Sequence, residues 1–244
     1  AGFAAGLIDS IVGGGGLVLT PAMLNLHPGL NILQAIGTQR TSSIMGTSVA
    51  AWNYLRKIHI ERRILLPACV AAMAASAIGV QFAKRLDPEL LKWTVLAICV
   101  ILAVYTVFRK DLGLKEERRF HPKHESLAAL SIGTASGFYN GLIGPGTGTI
   151  MVFAFVSFLG LDFLKSSAIS KAANVSADIS SWTVLMLSGF VLWVLAVPLI
   201  IGNMLGSYIG SHMAIRKGQT FVRAVFLVIV LALIARQAWQ LLTA

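Results

Sequence analysis

The sequence is poor in charged residues: Asp, Glu, Lys and Arg make up 12% of its 244 residues, whereas a soluble globular domain has about 25%. Charge is missing altogether from three stretches, at 10–39, 126–161 and 179–215. A helix needs roughly 20 apolar residues to cross a bilayer, and each stretch is long enough for at least one crossing. The shortage of charge argues strongly against a soluble fold and predicts an integral, multi-pass membrane protein without a sizeable soluble domain.

Acidic residues are scarcer than basic ones, at 10 against 20, which gives a formal net charge of +10. The basic residues cluster in short segments, at 56–63 and 109–123. This pattern is typical of cytoplasmic loops under the positive-inside rule, and it fits a groove for phosphate backbones poorly. We therefore expect the lipid bilayer as a partner, and no nucleic acid. The sequence leaves open whether the chain forms a homo-oligomer.

Signatures of enzymes and cofactor-binding proteins are also missing. The two cysteines, Cys69 and Cys99, lie inside apolar segments, where packing is their expected role. No His/Cys/Asp spacing resembles a metal site, and no Ser–His–Asp or nucleotide-binding signature is present. We expect no cofactor, no metal and no enzymatic activity. Because the chain starts at Ala1 within an apolar stretch and lacks an initiator Met, we also expect native residues to precede it.

The sequence repeats itself without a gap after 131 positions. Gly2, Gly6, Gly13 and Gly15 align with glycines 131 residues later, and Arg40 aligns with Lys171. The predicted fold is an all-α polytopic membrane protein of two homologous repeats, 1–108 and 125–244, joined by a cytoplasmic linker at 109–124. Each repeat contains a Gly-broken helix or hairpin and three transmembrane helices, which gives about 8–10 helical segments.

Gly, Pro and charge mark the ends of these segments. The first segment of each repeat is predicted to break at its Gly-rich part, IVGGGGL at 11–17 and GLIGPGTG at 141–148, because Gly tolerates unusual backbone angles and Pro lacks an N–H donor. The linker is interpreted as a solvated loop. Charge is distributed oppositely in equivalent loops, which favours inverted repeats. The helices are predicted at 32–55, 64–84 and 89–108, and at 163–187, 190–213 and 219–241.

Two cations are predicted deep in the membrane. Arg40 and Lys171 each lie about nine residues into a helix, or roughly 12–13 Å at 1.5 Å per residue, while half the hydrocarbon core is about 15 Å. A cation at the centre of a span costs at least ~2.5–3.5 kcal/mol. Binding of an anion would offset this cost. A buried ion pair with Asp9 or Asp178 is the structural alternative, although Asp178 is too far along the helix to reach Lys171.

Polar and small residues surround both cations and are the candidate substrate-binding groups. The half-helices after the Gly breaks would direct N–H groups and the positive ends of their dipoles at the same place, a geometry that binds anions in transporters with discontinuous helices. Besides the two cations, the predicted binding residues are Thr38, Gln39, Ser43, Ser170, Asn174, Asn140, Tyr139, Gly14, Gly15 and Gly146.

Asp9 and Asn140 occupy equivalent positions, each just before its Gly break. A carboxyl group in low dielectric can exchange protons, so Asp9 is the candidate for proton coupling. Asp9 could equally hold Arg40 in place, and the sequence does not distinguish these roles.

Four segments resemble the TauE/SafE family of membrane permeases: AGFAAGLIDSIVGGGGLVLTPAML at the start, then AIGTQRTSSIMGTSVAAWNY, GFYNGLIGPGTGT and SKAANVSADI. The resemblance covers nearly the whole chain. It implies export of sulfite or organosulfonates such as sulfoacetate, and a location in the bacterial inner membrane. Asn140 stands where some relatives carry Asp, which argues against a symmetric relay of two acids.

Together these features predict a secondary transporter of small sulfur-containing anions, with alternating access to an electropositive site between the repeats. No ATP-binding motif is present, so a gradient of protons, ions or the substrate itself would supply the energy. The alternatives are a passive anion channel and, in another class, a membrane-embedded enzyme or scaffold. A divalent-cation substrate is disfavoured by the two deep cations.

Overall fold

The computed structural model describes residues 1–27, 29–83, 113–114 and 116–242, and every regular element in that part of the chain is helical. α8 contains one interruption, at Gly218, where φ is 79° and ψ is −170°. The elements are α1 (Gly2–Val12), α2 (Gly15–Leu26), α3 (Ile32–Lys57), α4 (Arg62–Ala83), α5 (Pro122–Leu142), α6 (Thr147–Ala154), a π-helical turn (Phe155–Leu159), α7 (Phe163–Leu187) and α8 (Trp193–Leu242).

The helix boundaries follow the sequence closely. The prediction of a helix at 163–187 is confirmed by α7, which begins after Asp162 because this side chain caps the helix by accepting a hydrogen bond from the Lys165 N–H at 2.8 Å. α3 begins after Asn31, which forms a capping box with Gln34. The two helices predicted at 190–213 and 219–241 form one element broken at Gly218. The helix predicted at 89–108 lies outside the described residues.

Polar and apolar residues are placed opposite to their arrangement in a soluble protein. Large apolar side chains such as Val194, Leu187 and Val70 are exposed, whereas Arg40 and Lys171 are almost completely buried. An apolar exterior around a polar interior indicates a lipid environment. Two of the described helices, Arg62–Ala83 and Trp193–Ile229, are long and apolar enough to cross a membrane by length and composition. α3 and α7 have similar lengths, but they carry many of the buried polar residues.

Each broken segment packs against a helix of the other half: α1 against α8, and α5 against α4. Glycines make these contacts close. A Cβ on Gly6 would lie 2.2 Å from the Asn203 carbonyl oxygen, and a Cβ on Gly137 would lie 2.4 Å from the Ala72 carbonyl oxygen. These glycines therefore allow close helix packing, as small residues do between membrane helices. Gly137 lies 131 positions after Gly6, and Asn203 lies 131 positions after Ala72. The two contacts are therefore equivalent under the sequence repeat.

The described part of the linker is exposed at residues 117–122, as expected of a solvated loop, and it is also held in place. The Glu117 N–H donates to the Gly160 carbonyl oxygen at 2.8 Å, and the Arg119 N–H donates to the Leu159 carbonyl oxygen at 3.3 Å. Arg118 forms ion pairs with three carboxylates, Glu61, Glu116 and Glu125. The linker is therefore fastened to the ends of α4, α5 and α7 by backbone and charged contacts. Its location on the cytoplasmic side stays a prediction.

Acid is expected to loosen this linker. A hydrogen bond from Arg118 holds the pKa of the Glu61 carboxyl below its usual range. A carboxyl with a lowered folded-state pKa stabilises fully above its unfolded value, about 4.3, and loses that contribution as the pH falls through the folded value. We expect the amides of Glu117 and Arg119 to exchange hydrogen several-fold faster, relative to an unprotected amide at the same pH, below about pH 4.

Arg118→Gln should produce the same acceleration at neutral pH. Exposed ion pairs contribute about 0.2–1 kcal/mol each, so the change should be local and should leave global unfolding nearly unchanged. Arg56→Gln is the control, because Arg56 contacts the Trp52 ring and takes no part in the network. Unchanged exchange in Arg118→Gln would show that the backbone contacts alone hold the linker.

Candidate functional site

The two helix breaks are made by glycines with positive φ. Gly13 and Gly14, at 85° and 108°, separate α1 from α2. Gly144 and Gly146, at 83° and 90°, separate α5 from α6. Side chains with a Cβ rarely adopt this region, so the backbone can turn here only because Gly is present. The prediction of broken first segments is confirmed in both halves.

The breaks meet in the interior. A Cβ on Gly13 would lie 2.4 Å from the carbonyl carbon of Gly148, so the two backbones are in direct contact. The Thr149 hydroxyl donates to the Gly13 carbonyl oxygen at 3.0 Å. This hydrogen bond satisfies a carbonyl group that the end of α1 leaves without a helical partner. The N-terminal ends of α2 and α6 are therefore brought to one place.

A cavity lies at this meeting point. Its empty space, including the part that opens outward, is about 280 Å³. Its lining combines the N-terminal residues of two helices with side chains from α1, α3 and α7. The lining residues are Asp9, Gly14, Gly16, Gln39, Arg40, Ser43, Gly144, Gly146, Thr147, Gly148, Asn174 and Asp178.

Arg40 enters the cavity from α3 and is 2% exposed. Its Nη2 group donates to the carbonyl oxygen of Asn140. Its Nε and Nη1 groups have no hydrogen-bond partner within the described part of the chain, and none of the described carboxylates forms an ion pair with it within 4.0 Å. A Cβ on Gly144 would lie 2.8 Å from Nη2, so the glycine break makes room for the guanidinium. Unpaired N–H groups on a buried cation are costly, and an anion would satisfy them.

Lys171 lies behind the same break, fully buried on α7. Its Nζ is 3.7 Å from the Asp9 carboxylate and makes no hydrogen bond to any described group. A Cβ on Gly148 would be 3.6 Å from this Nζ, which places the ammonium beside the N-terminal turn of α6. The ion pair considered as an alternative is thus present for Lys171. It joins Asp9 to Lys171, so the idea that Asp9 holds Arg40 in place is corrected.

The two carboxylates of the site have different surroundings. Asp9 accepts hydrogen bonds from the Thr47 hydroxyl at 2.9 Å and from the Gly15 N–H at 3.2 Å, in addition to its contact with Lys171. Asp178 accepts from the Asn140 amide at 2.9 Å and from the Ser43 hydroxyl at 3.4 Å. Asp9 therefore has a cation and a helix N-terminus beside it, whereas Asp178 is bound only by neutral donors.

The structure brings most of the predicted binding residues to the cavity or to its immediate support. Five of them besides Arg40 are part of the lining: Gln39, Ser43, Asn174, Gly14 and Gly146. Three others serve the lining from behind. Asn140 connects Arg40, Asp178 and Asn174, Gly15 binds Asp9, and the Tyr139 hydroxyl donates to the Pro145 carbonyl oxygen at 3.3 Å.

Lys171 is not among the lining residues, and two other predicted residues also lie away from the lining. The Thr38 hydroxyl accepts a hydrogen bond from the Leu192 N–H at 3.0 Å, so it fixes the connection between α7 and α8. The Ser170 hydroxyl is buried and has no partner among the described residues. Sequence reasoning missed Asp178 and Thr147 as lining residues. The sequence repeat offered a signal for Asp178, because Asp178 aligns with Thr47 and Asn140 aligns with Asp9. The contact between Asn140 and Asp178 is the counterpart of the contact between Asp9 and Thr47.

Comparisons with known proteins agree with this architecture. The family model described as "Sulfite exporter TauE/SafE" matches residues 1–236. A protein of Sinorhizobium named "Probable membrane transporter protein ORF9" is 30% identical over 237 residues, covering 97% of this chain and 89% of its own length. A "Probable membrane transporter protein" of Haemophilus influenzae is 30% identical over 239 residues, covering 98% and 92%.

A more distant relative has a similar name. "Probable membrane transporter protein YfcA" of Escherichia coli is 27% identical over 228 residues, covering 92% of this chain and 82% of its own length. No solved structure gives a significant match. With a family model that spans nearly the whole sequence and relatives that are named as transporters, this chain belongs to the TauE/SafE family of integral membrane transporters.

Proposed function

We propose that this protein is a multi-pass secondary transporter that carries small sulfur-containing anions, sulfite or short sulfonates, through the cavity between its two broken helices. The observation that supports this most is the state of Arg40, a buried guanidinium with Nε and Nη1 unpaired in a cavity. Nε and Nη1 lie on different edges of the planar guanidinium, and each edge, which it shares with Nη2, can bind two oxygens of a tetrahedral or pyramidal oxyanion through parallel N–H groups. The sulfur chemistry rests on the family resemblance.

The ends of two helices support the same proposal. Residues of the first turns of α2 and α6, including Gly16 and Gly148, line the cavity. Backbone N–H groups at a helix N-terminus lack helical partners, and the dipole favours negative charge there. Arg40, Lys171 and the two helix ends make the site suitable for an anion. The cavity is small, which suits sulfite or a short sulfonate better than a bulky substrate.

We further propose that the two halves are inverted repeats that move against each other around this site. The exchange of packing partners, α1 with α8 and α5 with α4, is the arrangement expected when two equivalent units are related by a pseudo-twofold axis. The glycine contacts allow close sliding surfaces between helices. Alternating access would then open the cavity to one side at a time.

Counterflow in liposomes tests the function. Purified protein is reconstituted into liposomes loaded with unlabelled sulfite, and the uptake of external labelled sulfite is followed. We expect saturable uptake that is accelerated by the internal sulfite, because a carrier returns faster when it is loaded. Uptake without saturation or counterflow would indicate a passive channel. No uptake or binding of sulfite or of short sulfonates would contradict the proposed substrate.

A further inference from the structure

The charges around the cavity balance when it is empty. Arg40 and Lys171 contribute two positive charges, and Asp9 and Asp178 contribute two negative ones. The other described elements around the site add none, because Asp, Glu, Lys and Arg are missing from 10–39, 126–161 and 179–215. α4, which packs against α7, places Ala68 and Ala72 in the apolar cluster there and has no charged residue at 64–83.

An anion that enters this balanced site would leave it with an excess negative charge. A buried net charge is unfavourable in low dielectric, and the usual response is a change in protonation. Of the four groups, only the carboxylates can remove the excess by taking up a proton. The site therefore needs one proton for each negative charge that enters.

The surroundings of the two carboxylates indicate which one takes the proton. Asp9 has the Lys171 ammonium at 3.7 Å, the Thr47 hydroxyl and the first N–H of α2 beside it. Asp178 lines the cavity with only neutral donors, and no ion pair within 4.0 Å joins it to a described cation. In the empty site, the positive charge of Arg40 compensates Asp178. Once an anion occupies the free N–H groups of Arg40, that charge compensates the anion instead.

Asp178 also has a neighbour that can accept a hydrogen bond from it once it is protonated. The Ser43 hydroxyl lies 3.4 Å from Asp178 and 3.5 Å from the Thr47 hydroxyl, which in turn donates to Asp9. Ser43 and Thr47 lie one turn apart on α3, so two hydroxyl groups connect the two carboxylates. A hydroxyl can rotate from donor to acceptor, and Ser43 could therefore receive a hydrogen bond from protonated Asp178.

We propose that Asp178 takes up one proton from water each time a monovalent anion binds at Arg40, so that anion and proton cross the membrane together. This inference rests on the proposed function and replaces Asp9 with Asp178 as the proton carrier. It also defines the substrate class: a monovalent anion with one proton restores the neutral site, whereas a divalent anion leaves one negative charge. Transport of a monovalent sulfonate would be electroneutral.

Proton-linked binding of methanesulfonate tests this inference. Methanesulfonate stays monovalent across the working pH range, so any proton taken up must reach the protein. Titration calorimetry of the detergent-solubilised protein, in buffers of different ionisation enthalpy, counts the protons. We expect one proton per bound anion, and an apparent Kd that rises tenfold per pH unit on the alkaline side. Asp178→Asn should bind methanesulfonate without proton uptake and without this pH dependence.

Asp162→Asn is the matched control. Asp162 is a buried carboxylate on the same helix, away from the cavity, and Asn caps a helix as well as Asp does. Its proton uptake should equal that of the wild type. If Asp178→Asn fails to fold, a wild-type count without proton uptake still overturns the proposal, and Asp178→Asn combined with Arg40→Gln keeps the charges balanced for the assignment to Asp178.

The failure of the inference can be distinguished from failure of the proposed function. Wild-type binding of methanesulfonate without proton uptake would overturn the inference and leave anion transport intact. Proton uptake that persists in Asp178→Asn would also overturn it, as would binding of sulfite with rejection of methanesulfonate. A wild-type protein that binds neither anion would contradict the proposed function, and the inference with it.

Discussion

Arg40→Gln is expected to lower the affinity for sulfite and short sulfonates by at least about a hundredfold. The guanidinium offers the anion an unpaired N–H group, on Nε or on Nη1, together with the second N–H of Nη2 on the same edge, and a hydrogen bond to a charged group contributes about 1.5–3 kcal/mol. Two such bonds correspond to a loss of about 3–6 kcal/mol, where every 1.4 kcal/mol is a factor of ten. Binding to purified protein, measured by calorimetry or by ligand-induced thermal stabilisation, provides the test.

Two further variants separate the effect of charge on the anion affinity from the effects of hydrogen-bond geometry and of folding. Arg40→Lys keeps the positive charge but loses the planar fork, so we expect an intermediate loss of about tenfold. Arg40→Gln combined with Asp178→Asn removes one charge of each sign and keeps the interior balanced, which protects folding. This double variant should remain folded and still bind weakly. Wild-type affinity in Arg40→Gln or in the double variant would show that the anion binds elsewhere.

Gly13→Ala is expected to destabilise the fold strongly. At φ 85°, an added Cβ would lie 2.4 Å from the Gly148 carbonyl carbon and 2.5 Å from the Thr149 nitrogen. These are backbone atoms of the other broken segment, so they can yield only if the two breaks move apart. Backbone strain of about 1–3 kcal/mol adds to an overpacking cost of similar size. The total, about 2–6 kcal/mol, is comparable with the stability of many proteins.

Gly189→Ala separates the overlap from the backbone strain. Gly189 has a similar φ, 76°, but an added Cβ there has no heavy atom within 4 Å. It should therefore cost only the strain, about 1–2 kcal/mol. Thermal unfolding in detergent should show a Tm lower by about 10 °C for Gly13→Ala and by a few degrees for Gly189→Ala. Equal shifts in the two variants would contradict close contact between the breaks.

Local sequence signals predict much of this fold because they act over a few residues. The positive-φ glycines set the two breaks, and the Asp162 cap sets the start of α7. The depth of Arg40 and Lys171 follows from helix rise alone. These signals require no knowledge of which helices become neighbours.

The contacts between residues of the site depend on which helices become neighbours. Asp9 was a possible partner for Arg40, but the contact between α1 and α7 brings it to Lys171. Asp178 lies too far along its own helix to reach Lys171, and it acquires its role from Asn140 on α5 and Ser43 on α3. Such contacts arise from packing between distant segments, which composition and spacing do not specify.

The position of a bound oxyanion tests the central claim most directly. Selenite resembles sulfite, and its selenium atom gives an anomalous X-ray signal. In crystals of the protein soaked with selenite, we expect a selenium peak inside the cavity, with selenite oxygens within hydrogen-bond distance of one edge of the Arg40 guanidinium, Nε with Nη2 or Nη1 with Nη2. Selenium found only at surface cations, with the Arg40 guanidinium paired to Asp178, would contradict anion binding between the two broken helices.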